Sequence, residues 1–262
     1  MPAETSALEV LFTPAEFAAL AGRDLSKTAC VVFDVLRATS TIVAALANGA
    51  REIIPVAEID EALKLHSKMS DALLAGERDS VRIRAGLIGS IDFDLGNSPR
   101  EFVPAVVGGK RIILSTTNGS RALRACGHGG LVLAAAFLNL SATAAFLQSH
   151  SAEQILLICS GTGEEAAYED VLAAGALAGM VWPKSDRAVA DSANVARQIY
   201  ELNQHDLLGA MRQSRNGTRL LGMPELRDDV AWCLRQDALP LVARMENGKV
   251  TRVELAALPA RI

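Results

Sequence analysis

Val31-Val32-Phe33-Asp34-Val35-Leu36-Arg37-Ala38-Thr39-Ser40-Thr41 opens as an apolar, β-branched run, breaks at an acid, and resumes as a helix start rich in hydroxyls. Such a run predicts a buried strand, and the change of period after Arg37 predicts a polar turn at the strand's carboxyl end. The same order recurs along the chain. Ala29–Phe33, Arg51–Val56, Arg111–Leu114, Leu131–Ala135 and Gln154–Cys159 read as buried strands. Thr39–Asn48, Ile59–Leu74 and Leu138–Ser149 read as crossover helices, the first stopped by Asn48-Gly49. Strands alternating with helices predict an α/β fold, layered α/β/α around a mixed, largely parallel sheet. From Glu164 to about Cys233 the pattern is almost wholly helical, and Leu241–Arg244 with Val250–Glu254 then flank Asn247-Gly248 as a hairpin. No Pro-rich linker or charge block interrupts the chain. Residues 1–262 are therefore expected to form a single compact unit, with the main sheet over about 1–160 and a helix-rich portion with its terminal hairpin over about 161–262.

Half of the 262 residues are apolar and 21% are charged, enough to bury a large core. The formal charge is −4 with bases scattered among acids, which argues against a nucleic-acid partner. Met1-Pro2-Ala3-Glu4-Thr5 lacks a basic lead into an apolar signal core, and no apolar run approaches the roughly 20 residues that span a bilayer. The expectation is a cytoplasmic protein without a membrane partner, compatible with a homo-oligomer. Cys30, Cys126, Cys159 and Cys233 are too dispersed for a zinc site or a disulfide framework and read as buried thiols. His66, His128, His150 and His205 lack ligand spacing.

Open α/β sheets bind ligands beyond the carboxyl ends of their strands, so the polar turns there are the candidates for chemistry. Asp34 at a strand tip is placed to hold a divalent cation, Arg37 to grip a phosphate or carboxylate, and Thr39, Ser40 and Thr41 to open a helix towards an anion. A bland alternative stays open, in which a hydroxyl caps the helix and Asp34 pairs with Arg37. A haloacid-dehalogenase arrangement would need a second acid where Leu36 stands. In Gly89-Ser90-Ile91-Asp92-Phe93-Asp94-Leu95-Gly96-Asn97-Ser98-Pro99, Ser98 before Pro99 predicts another helix start, with Asn97 beside it, or an ordinary Asx turn. Thr116-Thr117-Asn118-Gly119-Ser120 ends a third strand beside Arg121 and suits a tetrahedral anion, or is a plain capped loop. Gly161-x-Gly163 is too weak a signal for a dinucleotide. Glu169-Asp170 follows it as a metal candidate or as exposed helix acids. Arg215 offers another clamp and Asp229 a reserve ligand, against a reading as surface charges.

Together Asp34-Val35-Leu36-Arg37-Ala38-Thr39-Ser40-Thr41, Gly96-Asn97-Ser98-Pro99, Thr116-Thr117-Asn118-Gly119, Glu169-Asp170 and Ser214-Arg215-Asn216-Gly217 resemble the 2-phosphosulfolactate phosphatase family, in identity and order, from about Val31 to Cys233. The resemblance implies a layered α/β fold and a Mg2+-dependent phosphatase that hydrolyses 2-phospho-3-sulfolactate to 3-sulfolactate and phosphate, a step of coenzyme M biosynthesis. A substrate carrying phosphate, carboxylate and sulfonate calls for several arginines and for oxygen ligands to magnesium. The expected assignments are Asp34, Arg37 and Asp170 in catalysis, with Asp34, Glu169 and Asp170 on the metal. Thr39, Ser40, Asn97, Ser98, Thr116, Thr117, Asn118, Gly119, Arg121 and Arg215 are expected on the small anionic phospho-acid. The same scaffold could serve another phosphorylated hydroxy-acid, or a silent sensor of an anionic metabolite.

Overall fold

The computed structural model describes residues 7–89, 91–150, 152–183 and 189–253. The signal-segment reading at residues 1–5, Ser90, and the end of the expected hairpin at Glu254 lie outside them. Among the described residues ten strands form one sheet: β1 (Leu8–Leu11), β2 (Thr28–Phe33), β3 (Glu52–Val56), β4 (Leu73–Arg78), β5 (Val81–Arg82), β6 (Arg111–Ser115), β7 (Leu131–Ala135), β8 (Gln154–Cys159), β9 (Val242–Glu246) and β10 (Lys249–Val253), ordered β1-β8-β2-β7-β9-β10-β3-β6-β4-β5. The helices are α1 (Pro14–Ala18), α2 (Ala38–Ala47), α3 (Ile59–Lys68), α4 (Ala85–Ile88), α5 (Pro104–Val107), α6 (Gly119–Ala125), α7 (Leu140–Ser149), α8 (Tyr168–Met180), α9 (Asp191–Asn203), α10 (Leu207–Met211), α11 (Arg215–Leu221) and α12 (Arg227–Cys233). The fold is α/β with a mixed sheet, as the alternation of patterns predicts.

Parallel pairing is confined to two blocks, β1-β8-β2-β7 and β3-β6-β4, and the hairpin β9-β10 joins them through antiparallel pairs on both sides. Asn247 and Gly248 both have positive φ, 51° and 76°, the conformation that a two-residue turn needs to match strand twist. The hairpin thus lies at the centre of the main sheet rather than with the helix-rich portion. Because it pairs antiparallel to both neighbours, the two blocks run in opposite senses along the sheet. Their carboxyl ends still meet, because both blocks turn a face to one apolar cluster: Cys30 and Val32 from β2, Ile53 from β3, Ile112 and Leu114 from β6, with Ile42, Val43 and Leu46 of α2 among them. Both blocks thus share a core with α2, which is buried from Ala38 to Leu46.

Two of the differences from the sequence pattern concern strands of the main sheet. Ile59–Leu74 is not one helix: α3 ends at Lys68, and Leu73 and Leu74 pair with Ile112 and Ile113 as the parallel strand β4. Apolar residues at this spacing fit either state, and only the neighbouring β6 decides between them. Gly76 in β4 has φ 153°, and a Cβ there would lie 2.2 Å from the Ser115 carbonyl oxygen, so only glycine lets these strand ends approach. The second difference is β1, which pairs in parallel with β8 and has no counterpart in the sequence reading.

Candidate active site

Asp34 follows β2 directly and shapes the turn that follows. Its Oδ1 accepts from the Ala38 N–H at 3.0 Å, and its carbonyl accepts from the Thr39 N–H at 2.9 Å and from Thr39 Oγ1 at 3.0 Å. The start of α2 is therefore capped by Asp34 itself. Ser40 Oγ donates to the Val35 carbonyl at 2.8 Å and Thr41 Oγ1 to the Asn97 carbonyl at 2.9 Å. Thr39 and Ser40, expected to face a ligand, instead hold the turn, because a short hydroxyl beside free carbonyls finds them first.

The second carboxylate layer comes from α8. Asp170 Oδ1 accepts from the Val35 N–H at 2.8 Å, and its Oδ2 accepts from Ser160 Oγ at 3.1 Å and the Gly161 N–H at 3.2 Å. It ties the turn after β2 to the turn after β8. Glu169, equally buried, accepts from Asn216 Nδ2 at 2.6 Å. Burial pushes the Asp34 carboxyl up to about 6, with the charges of Glu77 and Glu169 adding to the rise. Burial likewise raises Glu169, and raises Asp170 well above the usual carboxylate range, where Asp34 and Glu169 repel its charge.

From the other block, Gly119 begins α6 against this cluster. A Cβ there would stand 2.6 Å from Asp34 Oδ2 and 2.7 Å from the Ala38 Cβ. The close approach that glycine permits is to the aspartate, not to a ligand. Asn118 Nδ2 donates to the Ser160 and Gly163 carbonyls at 3.1 and 3.0 Å, joining β6 to the β8 turn. Thr117 donates through both N–H and Oγ1 to Glu77 Oε1, each at 3.2 Å. Thr116 Oγ1 is occupied by the N–H and hydroxyl of Ser120 within α6.

Asp34, Arg37, Asn97, Thr117 and Asn118 line one cavity of about 250 Å³. Its remaining wall includes Glu77, Asp79 and Ser80 from the β4 end, the Gly161–Gly163 turn, and Asn216 with Arg219 on α11. Three acidic residues, Asp34, Glu77 and Asp79, thus line it with two arginines, Arg37 and Arg219, of which Arg219 pairs with the exposed Asp79 at 3.7 Å. Arg37 is buried, its Nη1 donating to Asp229 Oδ2 at 2.7 Å and its Nη2 to the Ser80 carbonyl at 2.6 Å. Asp229 also accepts, through Oδ1, from Ser98 Oγ and Arg100 Nε, both at 2.7 Å. Asp229, the reserve metal ligand, therefore neutralises arginines. Ser98 binds it rather than a ligand, and the helix expected from Pro99 is a three-residue 3-10 turn, Pro99–Glu101.

Arg121 and Arg215 lie apart from the cavity lining, half exposed and paired with Glu164 at 3.1 Å and Glu165 at 2.6 Å. The motif at Ser214–Gly217 does reach the site, through Asn216. Arg219, three positions on, shares that face of α11, a spacing the sequence shows once Asn216 is placed. Glu77, Asp79 and Ser80 carry no local signal, because the helical pattern of Ile59–Leu74 runs into the first two residues of β4 and nothing after it marks a strand. The four cysteines are buried and free, and burial pushes Cys159 far up and Cys233 up to about 12, so neither is a ready nucleophile. None of the four histidines lines this cavity.

Among the described residues no three His, Cys, Asp or Glu side chains are arranged to hold a metal ion. Magnesium usually takes only one or two protein carboxylates and completes its octahedron with water and phosphate oxygens. The cavity suits that mode. Asp34 and Glu77 both line it, whereas Asp170 accepts hydrogen bonds at both oxygens and is not part of its lining.

A layered α/β protein whose strand ends gather buried carboxylates and arginines around a small polar cavity is built as an enzyme for a small anionic ligand. Comparison with known proteins gives the particular family. The family model described as 2-phosphosulpholactate phosphatase matches residues 17–248, and the chain belongs to that family of phosphoric monoester hydrolases. A relative from Caldanaerobacter subterraneus subsp. tengcongensis, named probable 2-phosphosulfolactate phosphatase, is 39% identical over 87% of this chain and 92% of its own. Proteins with the same name from Thermotoga maritima and Clostridium perfringens strain SM101 are 37% and 34% identical, over 83% and 86% of this chain and 89% and 88% of theirs.

Proposed function

We propose that this protein is a magnesium-dependent phosphatase that hydrolyses 2-phospho-3-sulfolactate to 3-sulfolactate and inorganic phosphate. Family membership supports the reaction class and the substrate named for the relatives. The observation that carries the magnesium requirement is the charge of the cavity, with three carboxylates against two arginines. A multiply anionic ester entering that space meets net repulsion, and a divalent cation beside Asp34 and Glu77 reverses its sign.

When bound, Mg2+ would supply positive charge for the phosphoryl oxygens and lower the pKa of a water beside it. Arg37, clamped between Asp229 and the Ser80 carbonyl, offers its remaining N–H groups to the equatorial oxygens, and Arg219, which donates to the neighbouring Asp79 carbonyl at 2.6 Å, adds a second guanidinium to the lining. Water attacks phosphorus in line, the bond from phosphorus to the ester oxygen breaks, and that oxygen leaves as the alcohol with a proton from the water. Asp170 and Asn118 keep the strand-end turns at fixed spacing during the step. The same reading assigns the reaction to coenzyme M biosynthesis, as the family resemblance implies.

Phosphate release from phosphosulfolactate, phosphoglycolate and phospholactate tests the substrate. The proposal expects kcat/KM for phosphosulfolactate to exceed the others by about tenfold or more, the worth of one further charge-assisted contact. Equal rates on all three would assign the protein to phosphorylated hydroxy-acids in general, and no release from any would leave an anion-binding protein.

A further inference from the structure

A second cavity, of about 480 Å³, shares Arg37, Ser80 and Asn97 with the first and is richer in arginine. Four arginines, Arg37, Arg82, Arg84 and Arg100, line it against two glutamates, Glu101 and Glu225. Arg37 and Arg100 share the carboxylate of Asp229, with Asp228 reaching Arg100 at 3.6 Å from the exposed side. Arg84 has only an exposed contact to Asp92 at 3.4 Å. Arg82 has no carboxylate partner among the described residues: its Nε donates to the Phe93 carbonyl at 2.6 Å, and its terminal nitrogens have no protein acceptor.

The wall between the cavities adds an independent observation. Asn97 is 4% exposed, lines both cavities, and its amide oxygen has no hydrogen-bond partner among the described residues. A buried amide without a partner costs free energy unless something outside the protein's own groups satisfies it. Which amide atom faces which way is exchangeable by a flip, so the side chain can present either a donor or an acceptor to a bound molecule. The Gly96 N–H, just before it, donates to Glu101 Oε2 at 2.9 Å, which holds that carboxylate at the cavity wall.

We infer that the arginine-lined cavity binds the non-phosphate acid groups, carboxylate or sulfonate, of the same molecule whose phosphate occupies the carboxylate-lined cavity, with Arg82 as the main contact and Asn97 bridging the two. The inference rests on the phosphatase reading for its substrate, yet binding of the product tests it without turnover. The division of labour follows from charge. The phosphate needs a cation among the carboxylates, while a strong acid that never changes covalently needs only fixed guanidinium groups.

The test is calorimetric titration of 3-sulfolactate into the Mg2+-loaded full chain, compared with Arg82→Gln and with Arg84→Gln, alongside kcat/KM for phosphosulfolactate and p-nitrophenyl phosphate. Arg82→Gln is expected to weaken 3-sulfolactate about tenfold or more, and to lower the ratio of kcat/KM for phosphosulfolactate over p-nitrophenyl phosphate by a similar factor. Arg84→Gln, whose exposed side chain leaves folding untouched, should act in the same direction by about threefold, as a partly screened charge does. Unchanged 3-sulfolactate affinity in both variants, or an unchanged substrate ratio, overturns the inference. Hydrolysis of p-nitrophenyl phosphate by a protein that binds no 3-sulfolactate keeps the phosphatase and removes this subsite. Binding of 3-sulfolactate that is lost in Arg82→Gln, without hydrolysis of any ester, keeps the subsite and removes the phosphatase.

Discussion

Asp170 and Asp229 are both fully buried carboxylates, each with hydrogen bonds to both oxygens, and they anchor opposite sides of the site. Asp229 is met by two guanidinium groups and a hydroxyl, all at 2.7 Å. Asp170 is met by two backbone N–H groups and a hydroxyl, with Asp34 and Glu169 close enough to raise its pKa. The first arrangement balances its charge within the protein. The second accumulates negative charge that the protein does not balance, and the imbalance opens into the cavity through Asp34. One side of the site is thus a scaffold for arginines, and the other gathers buried carboxylates around Asp34.

The comparison breaks most sharply at Asp34. Asp34→Asn keeps an oxygen for the Ala38 N–H but removes the cavity-facing charge, and is expected to lower kcat by about 10³-fold or more, as loss of a group acting on the developing charge does. The same change should stabilise the metal-free protein. Its folded pKa of about 6 lies above the ordinary 3.8, so the protonated carboxyl contributes stability below that ordinary value, and the contribution is lost as pH rises through about 6. The rise corresponds to about 3 kcal/mol, so denaturant titrations should show Asp34→Asn more stable than wild type by up to that amount at pH 8 and equal to it near pH 3.5. Wild-type stability that rises from pH 4 to pH 8 would contradict this account of the cluster.

On the balanced side, Asp229→Ala leaves Arg37 buried without its carboxylate and should cost about 3–5 kcal/mol in stability, read by urea unfolding. Between the two sides, Gly119→Ala forces a Cβ against Asp34 Oδ2 and Ala38, with an expected loss of about 1–3 kcal/mol and a marked fall in kcat with it. Arg215→Ala should be the mildest. Its pair with Glu165 is exposed, and stability should stay within about 0.5 kcal/mol of wild type.

The same contrast explains what the sequence made legible. Asp34 and Arg37 could be placed because a six-residue buried strand and a buried helix bracket them, and those patterns are local. Glu77, Asp79 and Ser80 could not, because β4 exists by pairing with β6, a contact no local pattern encodes. Hydroxyls and arginines were legible as types but not as directions. Ser40 turns to a carbonyl five residues back, Ser98 crosses to Asp229, and Arg121 and Arg215 turn to the glutamates of the segment after β8. Each choice depends on which acceptor the fold brings within reach, and so does the distinction between a balanced and an unbalanced aspartate.

Phosphate release from 2-phosphosulfolactate at pH 7, by protein first stripped with a chelator and then titrated with MgCl2, tests the unbalanced carboxylates most directly. The expected result is no release without metal and a saturable return of activity with it, absent from Asp34→Asn at every magnesium concentration. Full turnover by the stripped wild type, or activity of Asp34→Asn equal to it, would contradict the account.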